Sequence, residues 1–81
     1  MNIDYSDRFQ KSYRQAPVII QKKFSKQIHF LKKDLRYPSL QAKKYDEATG
    51  VWQARVDRDW RFYFIITQDT YYLVDIIAHP K

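Results

Sequence analysis

The second half of the sequence, from Val51 onward, constrains the fold most, because it is rich in β-branched and aromatic residues. Polar breaks at residues 57–59 and 67–70 divide it into three runs. Side chains of these types fit a pleated, half-buried surface, so the runs predict three successive antiparallel strands.

The first half predicts one short strand followed by two helices. Residues 2–5 can form the strand, and Ser6 is placed to cap a first helix. Pro17 is placed to open a second helix, which Pro38 would end. The apolar positions of that helix recur at steps of three or four residues, at Ile20, Phe24, Ile28, Leu31 and Leu35. The order β-α-α-β-β-β predicts an α+β fold, with a helical hairpin packed on one face of a small, mainly antiparallel sheet.

Length and composition exclude several classes of protein. The chain has 81 residues, one glycine, no cysteine and no Ser/Gly-rich linker, so we expect a single domain spanning 1–81. Without cysteine there are no disulfides and no thiolate metal sites, and a reducing cytoplasmic location is expected. No apolar stretch approaches a membrane span, and the start MNIDYSDRF lacks the apolar core of a signal peptide. The familiar phosphate-loop, serine-hydrolase and zinc-protease motifs are absent.

Positive charge is concentrated in the first half of the chain. The net charge is +6, and it divides into +8 for residues 1–44 and −2 for residues 45–81. Such a field is typical of proteins that meet a polyanion. A solvated lysine-rich helix face would give the same pattern, and the sequence leaves both interpretations open. The lysines concerned are Lys22, Lys23, Lys26, Lys32 and Lys33.

The register of the first hairpin follows from the apolar pattern. A three-residue loop at 57–59 would set Trp52 opposite Phe64 and Ala54 opposite Phe62. All the large apolar side chains of the two strands would then lie on one face. A two-residue loop would mix the two faces, so apolar consistency favours the longer loop.

The same register places two arginines together on the second face. Arg55 would lie opposite Arg61, beside Tyr63. Like charges directly across a sheet repel, so this pair predicts a site for an anion such as phosphate. The alternative is a surface ion network in which the arginines are neutralised by Asp57, Asp59 or Asp75.

His79 follows the last predicted strand directly. A histidine there can exchange protons near neutral pH, although it can equally be an exposed loop residue. His29, within the lysine-rich helix, is interpreted as incidental. Two histidines without cysteine or a carboxylate cluster form no recognisable metal site, so no metal and no cofactor are expected.

Two segments together resemble the RelE/ParE superfamily of bacterial toxins from toxin–antitoxin systems. They are K-K-Y-D-E-A-T-G-V-W-Q-A-R-V-D-R-D-W-R-F-Y-F-I-I at 43–66 and Y-L-V-D-I-I-A-H at 72–79. The predicted strand and helical hairpin before them are also similar to that family. One branch, known for RelE, YoeB and HigB, cleaves mRNA on the ribosome without a metal, by attack of the ribose 2′-hydroxyl on the adjacent phosphate.

The resemblance implies roles for individual residues. Arg61 would hold the scissile phosphate and stabilise its extra negative charge, and Arg55 would support it. His79 would protonate the leaving 5′-oxygen. The general-base carboxylate of YoeB-like members has no clean counterpart in this sequence, and Asp46 and Glu47 are candidates for that role. RNA-binding roles are expected for Lys43, Lys44, Tyr63, Lys22, Lys23 and Lys26.

The resemblance also implies partners. An antitoxin protein is expected, together with the ribosome and mRNA as targets. The ParE branch shares the fold but inhibits DNA gyrase, so a gyrase inhibitor without nuclease chemistry stays open as an alternative. A relative that only binds its antitoxin is a third interpretation.

Overall fold

A computed structural model describes residues 1–79 of the chain. The elements are β1 (Asn2–Tyr5), α1 (Asp7–Gln15), α2 (Val18–Lys33), a 3-10 turn (Pro38–Leu40), β2 (Lys43–Asp46), β3 (Val51–Arg55), β4 (Trp60–Thr67) and β5 (Thr70–Ala78). The predicted α+β class and the order of the helices and main strands are confirmed.

The strands form one five-stranded mixed sheet in the order β1-β5-β4-β3-β2. β1 runs parallel to β5, and the other neighbouring strands are antiparallel. Strand β2 was not predicted. Its sequence KKYD is exposed at every position and has no apolar alternation, so only its pairing with β3 identifies it as an edge strand.

The predicted cap of α1 at Ser6 is confirmed. The Ser6 Oγ accepts a hydrogen bond from the backbone N–H of Phe9 at 2.9 Å. The same hydroxyl donates to the carbonyl of Val74 in β5 at 2.8 Å. The start of α1 is therefore tied to the sheet as well as capped.

The predicted end of α2 at Pro38 is wrong. The helix ends at Lys33, and Asp34 has an extended backbone with φ −162°. The Asp34 carboxylate accepts the backbone N–H of Arg36 at 2.9 Å, a local turn that competes with further helix. Leu35 therefore lies outside the helix, although it still packs against the core.

The helices cover one face of the sheet. The Phe24 ring of α2 meets the Phe62 ring of β4 edge to face, with centroids 5.2 Å apart. The largest side chains with almost no exposure are Phe62, Phe64, Leu31, Leu40, Leu73 and Ile76. They come from α2, the 3-10 turn and the two central strands, which places the core between the helices and the middle of the sheet.

The predicted register of β3 and β4 is confirmed. Trp52 lies opposite Phe64, and Arg55 lies opposite Arg61. The first pair stacks on the helix-covered face. Because side chains alternate along a strand, the arginines belong to the other face. Within residues 1–79, no helix is long and apolar enough to cross a membrane.

Candidate functional site

A cleft of about 270 Å³ lies at the end of the β3–β4 hairpin nearest its loop. Four of the residues predicted to be functional line it: Lys43, Arg55, Arg61 and His79. Gln41, Gln53 and Ala54 complete the lining. The fold therefore brings together cationic side chains from β2, β3 and β4 with the histidine after β5.

Arg61 is buried, with 8% of its surface exposed, and its guanidinium is held by backbone carbonyls. Its Nη1 donates to the carbonyls of Asp57 at 2.7 Å, Arg58 at 3.1 Å and Trp60 at 3.0 Å. Three neutral acceptors orient the group but leave its positive charge uncompensated. The site is thus suited to an anion that brings the missing negative charge.

The loop that supplies these carbonyls is organised by Asp57. Its Oδ1 accepts the backbone N–H groups of Asp59 at 2.8 Å and Trp60 at 2.9 Å. Its Oδ2 lies 3.1 Å from the ammonium of Lys23 in α2. Partial burial acts to raise the pKa of Asp57, but the backbone donors and Lys23 outweigh it, so the pKa is lowered from its ordinary value.

The acidic residues considered as neutralising partners pair with other cations. Asp75 lies 3.0 Å from Arg8, Asp57 pairs with Lys23, and Asp59 lies 4.0 Å from Arg58. Among the residues that the structure describes, neither cleft arginine takes part in an ion pair. This distribution of charge favours the anion site over the surface ion network.

Arg55 is anchored through its backbone. Its carbonyl accepts a hydrogen bond at 2.8 Å from the Nε2 of Gln27, a buried residue of α2. The same amide nitrogen donates to the carbonyl of Ser39 at 3.0 Å, and the Ser39 hydroxyl donates to Gln27 Oε1 at 2.9 Å. Gln27 was not predicted as a site residue, although a glutamine within the apolar stripe of α2 is a signal for one.

His79 is exposed, and its backbone is held at the cleft by the loop at residues 57–59. Its backbone N–H donates to the carbonyl of Asp59 at 2.7 Å. Gln41 was also missed, and it enters the cleft through a left-handed backbone with φ 43° at the end of the 3-10 turn. No sequence pattern signals that conformation at a glutamine.

An aromatic pair lies on the open face of the sheet beside the cleft. Gln53 Nε2 donates to the hydroxyl of Tyr63 at 3.1 Å. The rings of Tyr45 and Tyr63 meet edge to face with centroids 5.1 Å apart, and Tyr45 is 61% exposed. Tyr63 thus lies next to the arginine pair, as the register predicts.

Other predicted site residues lie away from the cleft. The Lys44 ammonium lies 5.1 Å from the Trp52 ring centre, on the helix side of the sheet. Lys22, Lys23 and Lys26 are on α2, where Lys23 pairs with Asp57 and Lys26 lies 6.0 Å from the Phe30 ring centre.

The predicted general-base candidates also lie outside the cleft. Asp46 and Glu47 are at the far end of β2, where the Asp46 carboxylate accepts the N–H of Ala48 at 3.0 Å. None of the described residues that line the cleft is acidic. Residues 1–79 also contain no group of three or more His, Cys, Asp or Glu side chains able to hold a metal ion.

The cleft has the groups that phosphodiester chemistry needs. A planar guanidinium can contact two phosphate oxygens together, and a fixed cation stabilises charge that develops on phosphorus. The imidazole of His79 in the same cleft is a side chain of the type used for general acid–base catalysis. The arrangement is therefore able to bind a phosphate group and to assist a displacement reaction at its phosphorus atom.

No protein-family model matches the sequence, and the comparison with curated proteins finds no match. Solved structures do match. A YoeB/ParE toxin from Agrobacterium tumefaciens superposes with a TM-score of 0.82 at 13% identity, covering 99% of this chain and 100% of that chain. YafQ from E. coli strain BL21(DE3) has a TM-score of 0.79 at 20% identity, with coverages of 95% and 91%.

A RelB–RelE antitoxin–toxin complex from Methanococcus jannaschii contains a third similar chain. It superposes with a TM-score of 0.76 at 16% identity, covering 93% of this chain and 88% of that chain. The agreement extends over nearly the full length of each protein. The chain therefore has the same fold as these YoeB/ParE, YafQ and RelE proteins.

Proposed function

We propose that this chain is the single-domain toxin of a toxin–antitoxin module and that it acts in the cytoplasm as a metal-independent, ribosome-dependent mRNA endoribonuclease. The observation that carries the proposal is the cleft in which Arg55, Arg61, Lys43 and His79 meet, with no acidic side chain among its described lining residues. A cationic cleft on this fold is suited to a single phosphodiester.

The cleft residues divide the reaction between them. Arg61, oriented by three carbonyls, holds the scissile phosphate with its remaining N–H donors. The ribose 2′-oxygen forms a bond to phosphorus while the bond from phosphorus to the 5′-oxygen breaks. Arg61 and Arg55 stabilise the negative charge that builds up on the phosphate oxygens. The products are a 2′,3′-cyclic phosphate and a 5′-hydroxyl.

His79, the histidine among the described residues of the cleft lining, supplies the proton for the leaving 5′-oxygen. The 2′-hydroxyl proton passes to a solvent water molecule, since none of the described residues that line the cleft is a carboxylate. Lys43 lies in the cleft, where it fits the RNA-binding role that the family resemblance implies for it.

The test is cleavage of mRNA by translating ribosomes with added protein. We expect Arg61→Ala to reduce the cleavage rate roughly 100-fold to 1,000-fold, as for loss of one oxyanion donor. Arg61→Lys keeps the charge but loses the planar fork, so it should restore only part of the rate.

Arg58→Ala is the matched control, because its side chain is 86% exposed in the same loop and does not line the cleft. The control removes one positive charge and should cleave nearly as fast as the parent. Equal cutting by the parent and Arg61→Ala would remove Arg61 from the mechanism.

A second candidate function is inhibition of DNA gyrase through protein contacts. It is favoured by the similar A. tumefaciens chain, described as a YoeB/ParE toxin. It is also favoured by a largely apolar groove of about 330 Å³ between α1 and α2, lined by Phe9, Tyr13, Phe24 and Ile28 among others. Loss of supercoiling by gyrase, with mRNA left intact, would decide for this function. If the added protein changes neither gyrase supercoiling nor mRNA, it is a relative that only binds its antitoxin.

An antitoxin partner follows from the same proposal. The similar RelE chain from M. jannaschii is in a complex with the antitoxin RelB. The net charge of +6 favours an acidic partner segment. Co-expression with the product of a neighbouring acidic reading frame, followed by copurification, tests this expectation.

A further inference from the structure

The loop at residues 57–59 contacts both Arg61 and His79, the two residues to which the proposed mechanism assigns the main steps. The carbonyls of Asp57 and Arg58 accept hydrogen bonds from Arg61 Nη1. The carbonyl of Asp59 accepts the backbone N–H of His79 at 2.7 Å. The direction in which these three carbonyls point therefore sets the position of the guanidinium and of the chain that carries the imidazole.

The shape of the loop depends on one carboxylate. Asp57 Oδ1 accepts the N–H groups of Asp59 and Trp60, which closes the loop from within. Two backbone hydrogen bonds at one end, from the N–H groups of Val56 and Asp57 to the carbonyl of Trp60, complete the turn. Without the Asp57 oxygen, two backbone donors lose their acceptor and the loop has fewer restraints on its carbonyls.

Lys23 fixes the carboxylate from the other side. It lies 34 positions earlier in the sequence, on α2, and its ammonium is 3.1 Å from Asp57 Oδ2. The side chain of Asp57 is only 20% exposed, whereas that of Lys23 is 47% exposed. The lowered pKa of Asp57 is consistent with a carboxylate that stays ionised beside these donors.

We propose that Asp57, held by Lys23 of α2, is the positioning residue that fixes Arg61 and His79 relative to each other in the cleft. The role in catalysis rests on the proposed nuclease function, but the role in ordering Arg61 does not. Asp57 is not part of the cleft lining, so it acts through the loop rather than on the substrate. Lys23 has a structural partner in the free protein and contributes to the cleft through it.

The first experiment measures the order of the Arg61 guanidinium directly, by ¹⁵N NMR of arginine side chains. In the parent, the three carbonyl acceptors should slow rotation of the Nη1 group and give resolved proton signals. Asp57→Ala should speed that rotation and broaden the signals. Asp57→Asn keeps an oxygen acceptor but loses the ion pair, so it should give an intermediate result.

Variants of Lys23 distinguish the effect of the Lys23–Asp57 ion pair from the effect of the hydrogen bonds within the loop. Lys23→Ala should loosen Arg61 less than Asp57→Ala does, and Lys23→Arg should restore the parent signals. Lys11→Gln is the matched control, since it removes one exposed helix charge outside the cleft and outside the described ion pairs. If Asp57→Ala does not fold, as judged by circular dichroism, Asp57→Asn and Lys23→Ala decide the question.

The second experiment measures cleavage kinetics on ribosomes. Because a positioning defect acts on the transition state, we expect Asp57→Ala to lower kcat about 100-fold with little change in KM. Lys23→Ala should lower kcat roughly 2-fold to 5-fold, which is the range expected for loss of a partly exposed ion pair. This decrease should be larger than any decrease caused by Lys11→Gln. If Asp57 only stabilised the fold, Asp57→Ala would lower the midpoint of thermal unfolding but would not lower kcat selectively while KM stays the same.

The outcomes distinguish this inference from the proposed function. If the parent does not cut mRNA, the nuclease proposal fails, and the NMR signals still test whether Asp57 orders Arg61. Inorganic phosphate, titrated against the Arg61 Nε–H signal, then serves as the probe, and Asp57→Ala should bind it more weakly than the parent. Parent-like Arg61 dynamics and phosphate binding in folded Asp57 variants would overturn the inference.

Discussion

Replacing Gln27 by leucine tests the connection between α2 and the cleft. Gln27 is 7% exposed and makes three hydrogen bonds, to the carbonyls of Ser39 and Arg55 and from the Ser39 hydroxyl. Leucine has nearly the same volume but removes all three. At a net value of about 0.5–1.5 kcal/mol for each bond, we expect a loss of roughly 1.5–4.5 kcal/mol in the free energy of unfolding.

The assay is urea unfolding followed by the fluorescence of Trp52 and Trp60. The midpoint should fall while the slope with urea stays unchanged, which marks a loss of stability without a change in exposed area. Gln10→Leu is the control, since Gln10 is exposed and makes one long hydrogen bond of 3.3 Å. It should cost less than about 0.5 kcal/mol.

A double-mutant cycle sharpens the test. Ser39→Ala removes the donor to Gln27 Oε1, so the Gln27→Leu and Ser39→Ala changes should cost less together than the sum of the two single variants. A Gln27→Leu protein within about 0.5 kcal/mol of the parent would refute the reasoning that this amide holds α2 against the cleft strand.

Four further predictions concern the cap, the pH dependence, the open face and the helix lysines. Ser6→Ala should cost about 1–2 kcal/mol by thermal unfolding, because it removes the α1 cap and the bond to β5. The lowered pKa of Asp57 contributes stability that is present above its ordinary value of 3.8 and is lost as pH falls through the lowered folded value. Asp57→Asn should therefore lose less stability than the parent in urea titrations at acid pH. Tyr63→Leu should weaken binding of a short RNA strand by about 1–3 kcal/mol if a base stacks there, whereas Tyr63→Phe should not. Lys22→Gln with Lys26→Gln should reduce the slope of log affinity against log salt by about 1.4 for single-stranded RNA, and an unchanged slope would exclude phosphate contacts by these lysines.

Local pattern was sufficient for much of the fold. The alternation of apolar side chains in residues 51–66 determines which residues share a face, since a strand repeats every two residues. From that alone, Arg55 and Arg61 are placed opposite each other, as the structure has them. Ser6 could also be identified as a cap, because capping depends only on the next three residues.

Local pattern failed where competing contacts decide the outcome. The end of α2 depends on the Asp34 carboxylate, which forms its own turn with Arg36 before Pro38 is reached. Strand β2 depends on pairing with β3, since its own four residues are all exposed. In both cases the sequence shows which residues are present, but it does not show which of the alternative partners gives the lower free energy.

The composition and periodicity of this chain by themselves determined the strand faces, the arginine pair and the basic character of the first half, because each depends on spacing of a few residues. Only the tertiary structure decided which cations remain without an acidic partner. Lys23 meets Asp57 across 34 positions, and Arg8 of α1 meets Asp75 of β5, which leaves Arg55 and Arg61 outside the ion pairs of the described residues. Charges pair according to distance in space, and that distance is set only when the helices pack on the sheet.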